Sequence, residues 1–424
     1  MLLLKTKNKN FKASFMSMRN RGGELASDIE ATVREILEQV RKSGDKELIR
    51  LTEKYDGHKN IKVSVKSIHN AYKKINPRLY ASLKLAYKRI ESFHKKQLQN
   101  SWIQTEESGE ILGQIVRPLE KIGIYVPGGK AVYPTSVLMN AIPARVAGVK
   151  EIIMVTPGSS EGIRPIILAA AELCGITKIF QIGGAQAIAA LAYGTETVPK
   201  VDKIVGPGNI YVATAKKLVY GNVAIDMIAG PSEVLVISDG TGDPAWVAGD
   251  MLSQAEHDEM ASSILITTDE AFAAKVNKEL QLQLERLPKR QIAKKSIDAY
   301  GAIIIAQSLH EAIDLANDVA PEHLELYVKN PWELLPGVKN AGAVFMGYYS
   351  PEPVGDYIAG PNHVLPTGGS ARFFSPLSVD DFLKKISLLS FTQEALNAVA
   401  RDVIGLARAE ELVAHARAVK NRLG

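Results

Sequence analysis

Four residues in two short segments have side chains that could do chemistry together. Gln254 and His257 stand three residues apart at the end of a predicted helix, AWVAGDMLSQAEH. That spacing turns both side chains to one face of a helix. Glu322 and His323 are adjacent in APEHLEL, further along the chain. An amide oxygen and imidazole nitrogens can bind a metal ion, and a carboxylate with an imidazole can move protons.

Two more residues extend this set toward the C-terminus. Asp356 lies in VGDYIAG and His415 in EELVAHARAV. Taken alone, each residue also fits a structural role without chemistry. Most helical histidines are structural or lie at the surface, and Asp356 could form a turn beside Gly355. The combination indicates a metal site with an acid or base beside it.

The elements that must position these residues alternate between strand and helix from residue 121 onward. Short β-branched runs (IGIYV, EIIMV, KIFQI and DKIVG) are separated by Ala-rich helical segments. A second series begins at EVLVIS (233–238) and continues through SSILITT, GAIIIA and AGAVFMG, with helices predicted at 243–257, 269–286 and 307–318. This alternation predicts an α/β fold of two Rossmann-like parallel-sheet units. The first 120 residues have a mostly helical pattern, and the tail from about 377 has no strand signal.

Glycine and proline cluster in four loops, VPGG at 126–129, IGGAQ at 182–186, VGPGN at 205–209 and AGPSE at 229–233. Loops at the carboxyl ends of parallel strands offer backbone N–H groups to nucleotides and other anions. The dinucleotide fingerprint G-x-G-x-x-G is absent, so spacing alone favours a nucleotide only moderately over ordinary tight turns.

Composition excludes several classes of protein. A chain of 424 residues is too long for one core and predicts two or three domains. The single cysteine, Cys174, excludes intrachain disulfides and thiolate-rich zinc sites. No apolar run approaches the roughly 20 residues of a membrane helix, and MLLLKTKNKN lacks the apolar core of a secretory signal, so we expect a cytoplasmic protein without a membrane partner.

The net charge of +5 is distributed unevenly, because residues 1–100 carry an excess of +13 and the remainder carries −8. A basic end can bind nucleic acid. The lysines are scattered through amphipathic segments such as LKLAYKRIESFHKK, without an aromatic platform, so we expect a solvated helical surface and no nucleic acid. Steeply salt-dependent binding to DNA or RNA would indicate the alternative, a non-catalytic nucleic-acid-binding protein.

Six separated segments resemble histidinol dehydrogenases. They are KIGIYVPGG (121–129), GGAQAIAALAYGTETVPKVDKIVGPGN (183–209), AIDMIAGPSEVLV (224–236), MLSQAEHD (251–258), NDVAPEHLELYV (317–328) and GDYIAGPNHVLPTGG (355–369). The resemblance runs from about residue 25 to the C-terminus and implies NAD-dependent oxidation of L-histidinol through L-histidinal to L-histidine. It also implies one Zn²⁺ per subunit and a homodimer with sites shared between subunits.

The resemblance assigns roles to particular residues. The implied zinc ligands are Gln254, His257, Asp356 and His415, and the implied acid/base pair is Glu322 and His323. The implied NAD contacts are Tyr125, Gln186 and Asn209. The substrate contacts would be Ser232 and Glu410, together with His323 and the metal ligands.

These implications give a predicted domain plan. It consists of an N-terminal arm (1–20), a discontinuous α/β domain (21–124 and 233–376), an NAD-binding α/β domain (125–232) and a helical tail (377–424) that docks on the partner subunit. His415 would lie on a helical segment at roughly 408–422. A same-fold NAD dehydrogenase for another small alcohol, such as a sulfonated diol, is the alternative function.

The residue chemistry suggests a division of labour. A neutral His323 suits removal of the alcohol proton, and Glu322 could activate water for the aldehyde stage while pointing elsewhere along an extended segment. A thiol route through Cys174 is the rival, although IILAAAELCGI suggests a buried core residue. We expect His58, His69, His94 and His310 at the surface and His363 behind Asp356.

Overall fold

The computed structural model describes residues 1–19, 27–128 and 132–423. Its strands form two parallel sheets and one small antiparallel sheet. In chain order the strands are β1 Leu2–Lys5, β2 Trp102–Thr105, β3 Ile111–Pro118, β4 Lys121–Tyr125, β5 Glu151–Thr156, β6 Lys178–Gln181, β7 Lys203–Val205, β8 Ala224–Ile225, β9 Glu233–Ser238, β10 Ser262–Thr267, β11 Ala302–Ile305, β12 His323–Tyr327, β13 Ala343–Met346 and β14 Leu383–Ser390.

Helices connect and cover the strands. They are α1 Phe11–Arg19, α2 Ser27–Asp56, α3 Val65–His69, α4 Pro77–Lys95, α5 Pro134–Ala147, α6 Pro165–Leu173, α7 Gly184–Tyr193, α8 Ile210–Val219, α9 Pro244–Ala255, α10 Glu270–Leu284, α11 Arg290–Tyr300, α12 Leu309–Val319, α13 Pro331–Leu334, α14 Glu352–Val354, α15 Gln393–Ala409 and α16 Val413–Lys420. A π-helical turn, Gly355–Ala359, follows α14 directly.

The five-stranded sheet has the order β6-β5-β4-β7-β8, and all its strands are parallel. The chain leaves β4 toward one edge and returns beside it at β7, so the strand order reverses between these two. Ligands of doubly wound sheets bind at such a reversal point. The strand predictions for this unit, from IGIYV to DKIVG, are confirmed.

The six-stranded sheet repeats this plan, with the order β1-β11-β10-β9-β12-β13. Its strands are also all parallel, and its reversal point lies between β9 and β12. The strand predictions from EVLVIS to AGAVFMG are confirmed. β12, which carries His323, was not predicted, and neither was β1, an edge strand that pairs with β11 from the opposite end of the chain.

The third sheet corrects the prediction for the tail. β14 pairs antiparallel with β3 along all eight of its residues, and β2 completes the order β14-β3-β2. The expectations of a tail without a strand and of a mostly helical start to residue 120 are therefore wrong at these positions. The pattern in LKKISLLS was weak because the strand lies half in solvent, with Lys384 and Lys385 exposed.

Core packing groups the N-terminal helices differently from the predicted domain plan. Buried residues of α2 pack with β5, α7 and α8, and those of α4 pack with α5 and α6. Both helices therefore cover the five-stranded sheet, whereas the plan placed 21–124 with 233–376. The predicted boundary between arm and domain, at residues 20 and 21, lies outside the described residues, and the domain limits stay a prediction.

Among the described residues, no helix has both the length and the apolar character needed to cross a membrane.

Candidate active site and cofactor cleft

A cleft of about 1060 Å³ opens at the carboxyl ends of the five-stranded sheet. It is lined by residues that follow β4, β5, β6 and β7 and by the end of α2. Tyr125, Gln186 and Asn209, the three residues expected to contact NAD, all lie on its wall. The structure thus brings together positions that are up to 84 residues apart in the chain.

Hydrogen bonds order two of these residues. The hydroxyl of Tyr125 accepts the N–H of Gly184 at 3.2 Å, and burial raises the pKa of this phenol to about 12. Asn209 caps α8, since its Oδ1 accepts the N–H groups of Tyr211 and Val212 at 3.1 and 3.2 Å. Asn209 is exposed and lines the cleft.

A glycine allows the two central loops of the cleft to approach each other. Gly206 has φ 110°, and a Cβ there would collide with the backbone carbonyl of Tyr125. The Gly206 N–H donates to Asp226 at 2.7 Å, and Asp226 also pairs with the buried Lys216. Gly206 of the VGPGN motif therefore allows the backbone after β7 to pass close to the backbone at the end of β4, at the reversal point. The motif does this although it lacks the usual dinucleotide fingerprint.

Asp56, at the end of α2, also lines the cleft and was missed from the sequence. Its carboxylate accepts the Gly183 N–H at 3.2 Å, and burial raises its pKa. The segment EKYDG looks like an ordinary helix end, so only the packing of α2 against α7 reveals this position.

The second cluster of polar residues lies at the amino-terminal edge of the six-stranded sheet. His323 begins β12, and its ring Nδ1 lies 2.9 Å from the carbonyl of Glu233, which begins β9. Since a carbonyl can only accept, Nδ1 carries the proton and Nε2 has the free lone pair. Burial, together with the nearby His257 and His363, lowers the pKa of His323 to about 4. The ring is therefore neutral at physiological pH.

Glu322 lies beside His323 instead of pointing away from it. The Glu322 carboxylate accepts the N–H of Glu233 at 2.9 Å and lies 3.7 Å from Nδ1 of His323. The expectation that the two side chains diverge is wrong, because Glu322 precedes the regular part of β12 and turns back onto β9. Burial raises the pKa of Glu322 well above its ordinary value.

Gln254 and His257 meet as predicted. Nε2 of Gln254, in the last turn of α9, lies 3.3 Å from Nδ1 of His257, which follows the helix. Gln254 is fully buried, and its Oε1 has no hydrogen-bond partner. His257 contributes electrostatically to the pKa of both His323 and Glu352, which places it in the same cluster.

Asp356 completes the cluster from the π-helical turn. Its Oδ1 lies 3.8 Å from Nε2 of His323, and burial raises its pKa to about 6. His363 stands behind it, with Nδ1 donating to the Asp356 carbonyl at 2.9 Å, so the expected position of His363 is confirmed. Ligand atoms of His323, Glu352 and Asp356 all lie within 4.8 Å of one another, a spacing that a single cation could bridge. A cavity of about 560 Å³ reaches His323, Asp356 and His363.

Glu352 was also missed by sequence reasoning. It is a buried carboxylate on α14, and burial raises its pKa to about 8. Nothing in SPEPVGDY distinguishes it from a surface glutamate.

The residue types at this cluster fit Zn²⁺. Gln254 Oε1 is a buried acceptor without a partner, and burying such an atom is unfavourable unless a donor or a cation satisfies it. Nitrogen and oxygen donors of this kind suit a redox-inert, borderline-soft ion.

Three of the expected residues lie outside the hydrogen-bonded part of this cluster. Ser232 immediately precedes β9, partly buried beside Glu233. Glu410 and His415 lie on the exposed end of α15 and on α16. Within one described chain, His415 is not part of the group that brings His323, Glu352 and Asp356 together.

The remaining histidines and the cysteine were predicted with mixed success. His69 and His310 are exposed as expected, but His58 and His94 are buried, so that expectation is wrong for these two. The predicted burial of Cys174 is confirmed, and burial raises its thiol pKa to about 12, which suppresses the nucleophilic thiolate.

Comparison with known proteins agrees with this geometry. The family model described as histidinol dehydrogenase matches residues 19–423. The chain belongs to the histidinol dehydrogenase family. The protein is accordingly an oxidoreductase of histidine biosynthesis that carries out NAD-dependent oxidation of histidinol. The alternative of a dehydrogenase for another small alcohol is not favoured.

Individual relatives extend the match over the whole chain. Histidinol dehydrogenase of Geobacter sulfurreducens is 55% identical and covers 100% of both chains. The Bacillus cereus enzyme of the same name is also 55% identical, over 96% of this chain and 95% of its own. The crystal structure of histidinol dehydrogenase from Elizabethkingia anophelis superposes with a TM-score of 0.94 at 40% identity, covering 100% of this chain and 98% of that one.

Proposed function

We propose that the protein oxidises L-histidinol through L-histidinal to L-histidine, using two NAD molecules per substrate at one zinc centre. Gln254, His257 and Asp356 would bind the metal, with His415 contributed by a second subunit. Glu322 and His323 would exchange protons with the substrate. The observation that carries this proposal is the presence of two unpartnered buried acceptors, Gln254 Oε1 beside His257 and His323 Nε2 beside Asp356.

Zinc bound by these residues would hold and orient the substrate, whose imidazole and amine are good zinc ligands. The chain's own contribution is a set of preformed positions. Gln254 is fixed at the end of α9, and Asp356 is fixed by the π-helical turn and the hydrogen bond from His363 to its carbonyl. Ser232 and Glu410 would add contacts to the substrate.

His323 would take the proton of the substrate's hydroxyl. Its Nδ1–H is held by the Glu233 carbonyl, which fixes the tautomer and leaves the Nε2 lone pair on the side of Asp356. Since the ring is neutral above its lowered pKa of about 4, the base form is present at physiological pH.

Glu322 would remove a proton from the water that adds to the aldehyde. A carboxylate whose pKa burial has raised is a stronger base than an ordinary glutamate. Its contact with the N–H of Glu233 holds it beside His323. The two groups would therefore work at one position, in successive stages of the reaction.

NAD would bind in the cleft formed by Tyr125, Gln186 and Asn209, where it would supply the hydride acceptor. The cleft lies at the carboxyl ends of the parallel strands, at the point where the strand order reverses, which is where doubly wound sheets bind dinucleotides. A cytoplasmic location is part of the proposal.

The tail supports a dimer in which subunits complete each other's sites. Leu389, Leu406 and Val413 are 66%, 68% and 55% exposed, and Ile103 on the adjoining β2 is 63% exposed. Large apolar side chains left exposed in this way are typical of surfaces that bind another protein. Glu410 and His415 lie at the end of α15 and on α16, the packed helices that carry Leu406 and Val413, so a partner that covers these helices would contact both residues.

Counting products tests the proposal. Complete oxidation of histidinol should yield two NADH per histidine, and chelator-stripped protein should lose activity and regain it with Zn²⁺. The fold should survive stripping, because neither sheet is built around the cluster. One NADH per substrate with histidinal accumulating, or full turnover by protein shown to be metal-free by elemental analysis, would contradict it.

A further inference from the structure

Glu352 is a buried acid that the proposed reaction does not use. Its side chain is 2% exposed, and Oε2 accepts the hydroxyl of Ser253 at 3.0 Å. Its own backbone N–H donates to the buried carboxylate of Glu325 at 2.8 Å. The other carboxylate oxygen, Oε1, is buried without a hydrogen-bond partner.

These contacts join the three elements that carry the site. Ser253 immediately precedes Gln254 at the end of α9, and Glu325 lies two residues after His323 on β12. Glu352 itself is on α14, which runs directly into the turn carrying Asp356. A single side chain thus connects the end of α9 with the turn that presents a carboxylate to the cluster.

The carboxylate of Glu352 lies beside His323 and Asp356. The three residues Glu352, His323 and Asp356 have ligand atoms within 4.8 Å of one another. Burying a carboxylate oxygen is energetically unfavourable unless a hydrogen-bond donor or a cation contacts it, so Oε1 of Glu352 is expected to have such a partner. Groups that contact metal ligands from outside the coordination sphere orient those ligands and tune their affinity.

We propose that Glu352 is a positioning residue for the zinc centre. It would set Asp356 relative to Gln254 by accepting the Ser253 hydroxyl on one side and, with its other oxygen protonated, donating to the Asp356 carboxylate on the other. This proposal rests on the proposed function, since it takes Gln254 and Asp356 as zinc ligands. One carboxylate oxygen of Glu352 is already engaged by Ser253, which favours a bridging hydrogen-bond role over direct coordination.

The glutamine variant separates bridging from coordination. E352Q keeps an acceptor for Ser253 and an N–H for the Asp356 carboxylate but removes the anionic oxygen that a metal would bind. E352A removes both contacts. S253A removes only the contact on the α9 side. D226A serves as a control, because it deletes a buried carboxylate from the other parallel-sheet unit.

The experiment measures zinc affinity of the purified full-length variants by competition with a chromophoric chelator, and visible spectra after replacement with Co²⁺. E352A should weaken zinc binding by about 10- to 100-fold, the usual range for such outer groups, and should change the Co²⁺ spectrum. S253A should weaken binding less than E352A. E352Q should stay within about threefold of the unchanged protein and keep its spectrum, and D226A should keep normal affinity even where its thermal stability falls.

Three results would overturn the inference. Unchanged zinc affinity in E352A would show that Glu352 does not position the ligands. A zinc affinity of E352Q as low as that of E352A would indicate that Glu352 itself binds the metal. A loss in D226A equal to that in E352A would reduce the effect to general destabilisation. Failure of the unchanged protein to bind zinc would instead overturn the zinc centre of the proposed function, and this inference with it.

Discussion

The tautomer of His323 depends on a single backbone carbonyl. The carbonyl of Glu233 accepts Nδ1–H of His323, and the backbone N–H of Glu233 donates to the Glu322 carboxylate. The first residue of β9 therefore orients both groups of the acid/base pair. Neither contact is evident from APEHLEL, because the partner lies about 90 residues earlier in the chain.

Replacing the base should reduce turnover without removing the metal. In H323N the side-chain amide can still donate to the Glu233 carbonyl, but no lone pair of suitable basicity replaces Nε2. Turnover of histidinol should fall by about 10² to 10⁴, the range for losing a general base, while zinc content stays unchanged. Steady-state rates with metal analysis check this, and a loss of less than tenfold would contradict the role of His323.

Replacing Glu322 should affect the two oxidations unequally. E322Q keeps the size of the side chain and an acceptor for the Glu233 N–H, but it cannot take a proton from water. Oxidation of supplied histidinal should therefore fall at least tenfold more than the conversion of histidinol to histidinal. Equal losses on both substrates, measured in single-turnover experiments, would refute the separate role for Glu322.

At the scale of elements, the sequence predicted the repeated alternation of strands and helices but not β12, the strand that carries His323. Runs such as EIIMV and SSILIT predicted their strands because parallel strands are buried on both faces. HLELY was missed because Glu325, a buried acid in the middle of β12, breaks that pattern. The charged groups that make this strand functional are thus what conceals it.

Helix α4 contributes a buried histidine that should make the fold sensitive to acid. His94 is fully buried, and its Nε2 accepts the side-chain N–H of Asn362 at 3.2 Å. Burial lowers its pKa to about 4 from the ordinary 6.5. Below pH 6.5 the unfolded chain binds a proton that the folded chain does not, so this contribution to stability is complete above pH 6.5 and is lost as the pH falls toward 4.

H94Q should flatten that dependence. Glutamine can still accept from Asn362 but does not titrate, so the fall in unfolding free energy between pH 7 and pH 5 should shrink by about 2 kcal/mol. Chemical unfolding at fixed protein concentration measures the difference. The exposed His69→Gln is the matched control and should leave the pH dependence unchanged. An unchanged slope in H94Q would show that His94 is not the buried titrating group.

At the scale of the whole molecule, one chain contains most of the proposed site but not all of it. Gln254, His257 and Asp356 gather at the amino edge of the six-stranded sheet, while His415 lies exposed on α16. The sequence resemblance named all four residues. It could not show their arrangement, because in the proposed dimer the tail would reach the site only across a surface between two subunits.

A mixture of two inactive variants tests this shared site most directly. H257A and H415A homodimers should each be inactive, since every site lacks one ligand. In a co-expressed heterodimer, one site would combine an intact His257 from one chain with an intact His415 from the other. Random pairing makes half of the dimers mixed with one good site of two, so roughly a quarter of normal activity should return. No recovery, with heterodimers confirmed by mass, would contradict a site completed by the partner's tail.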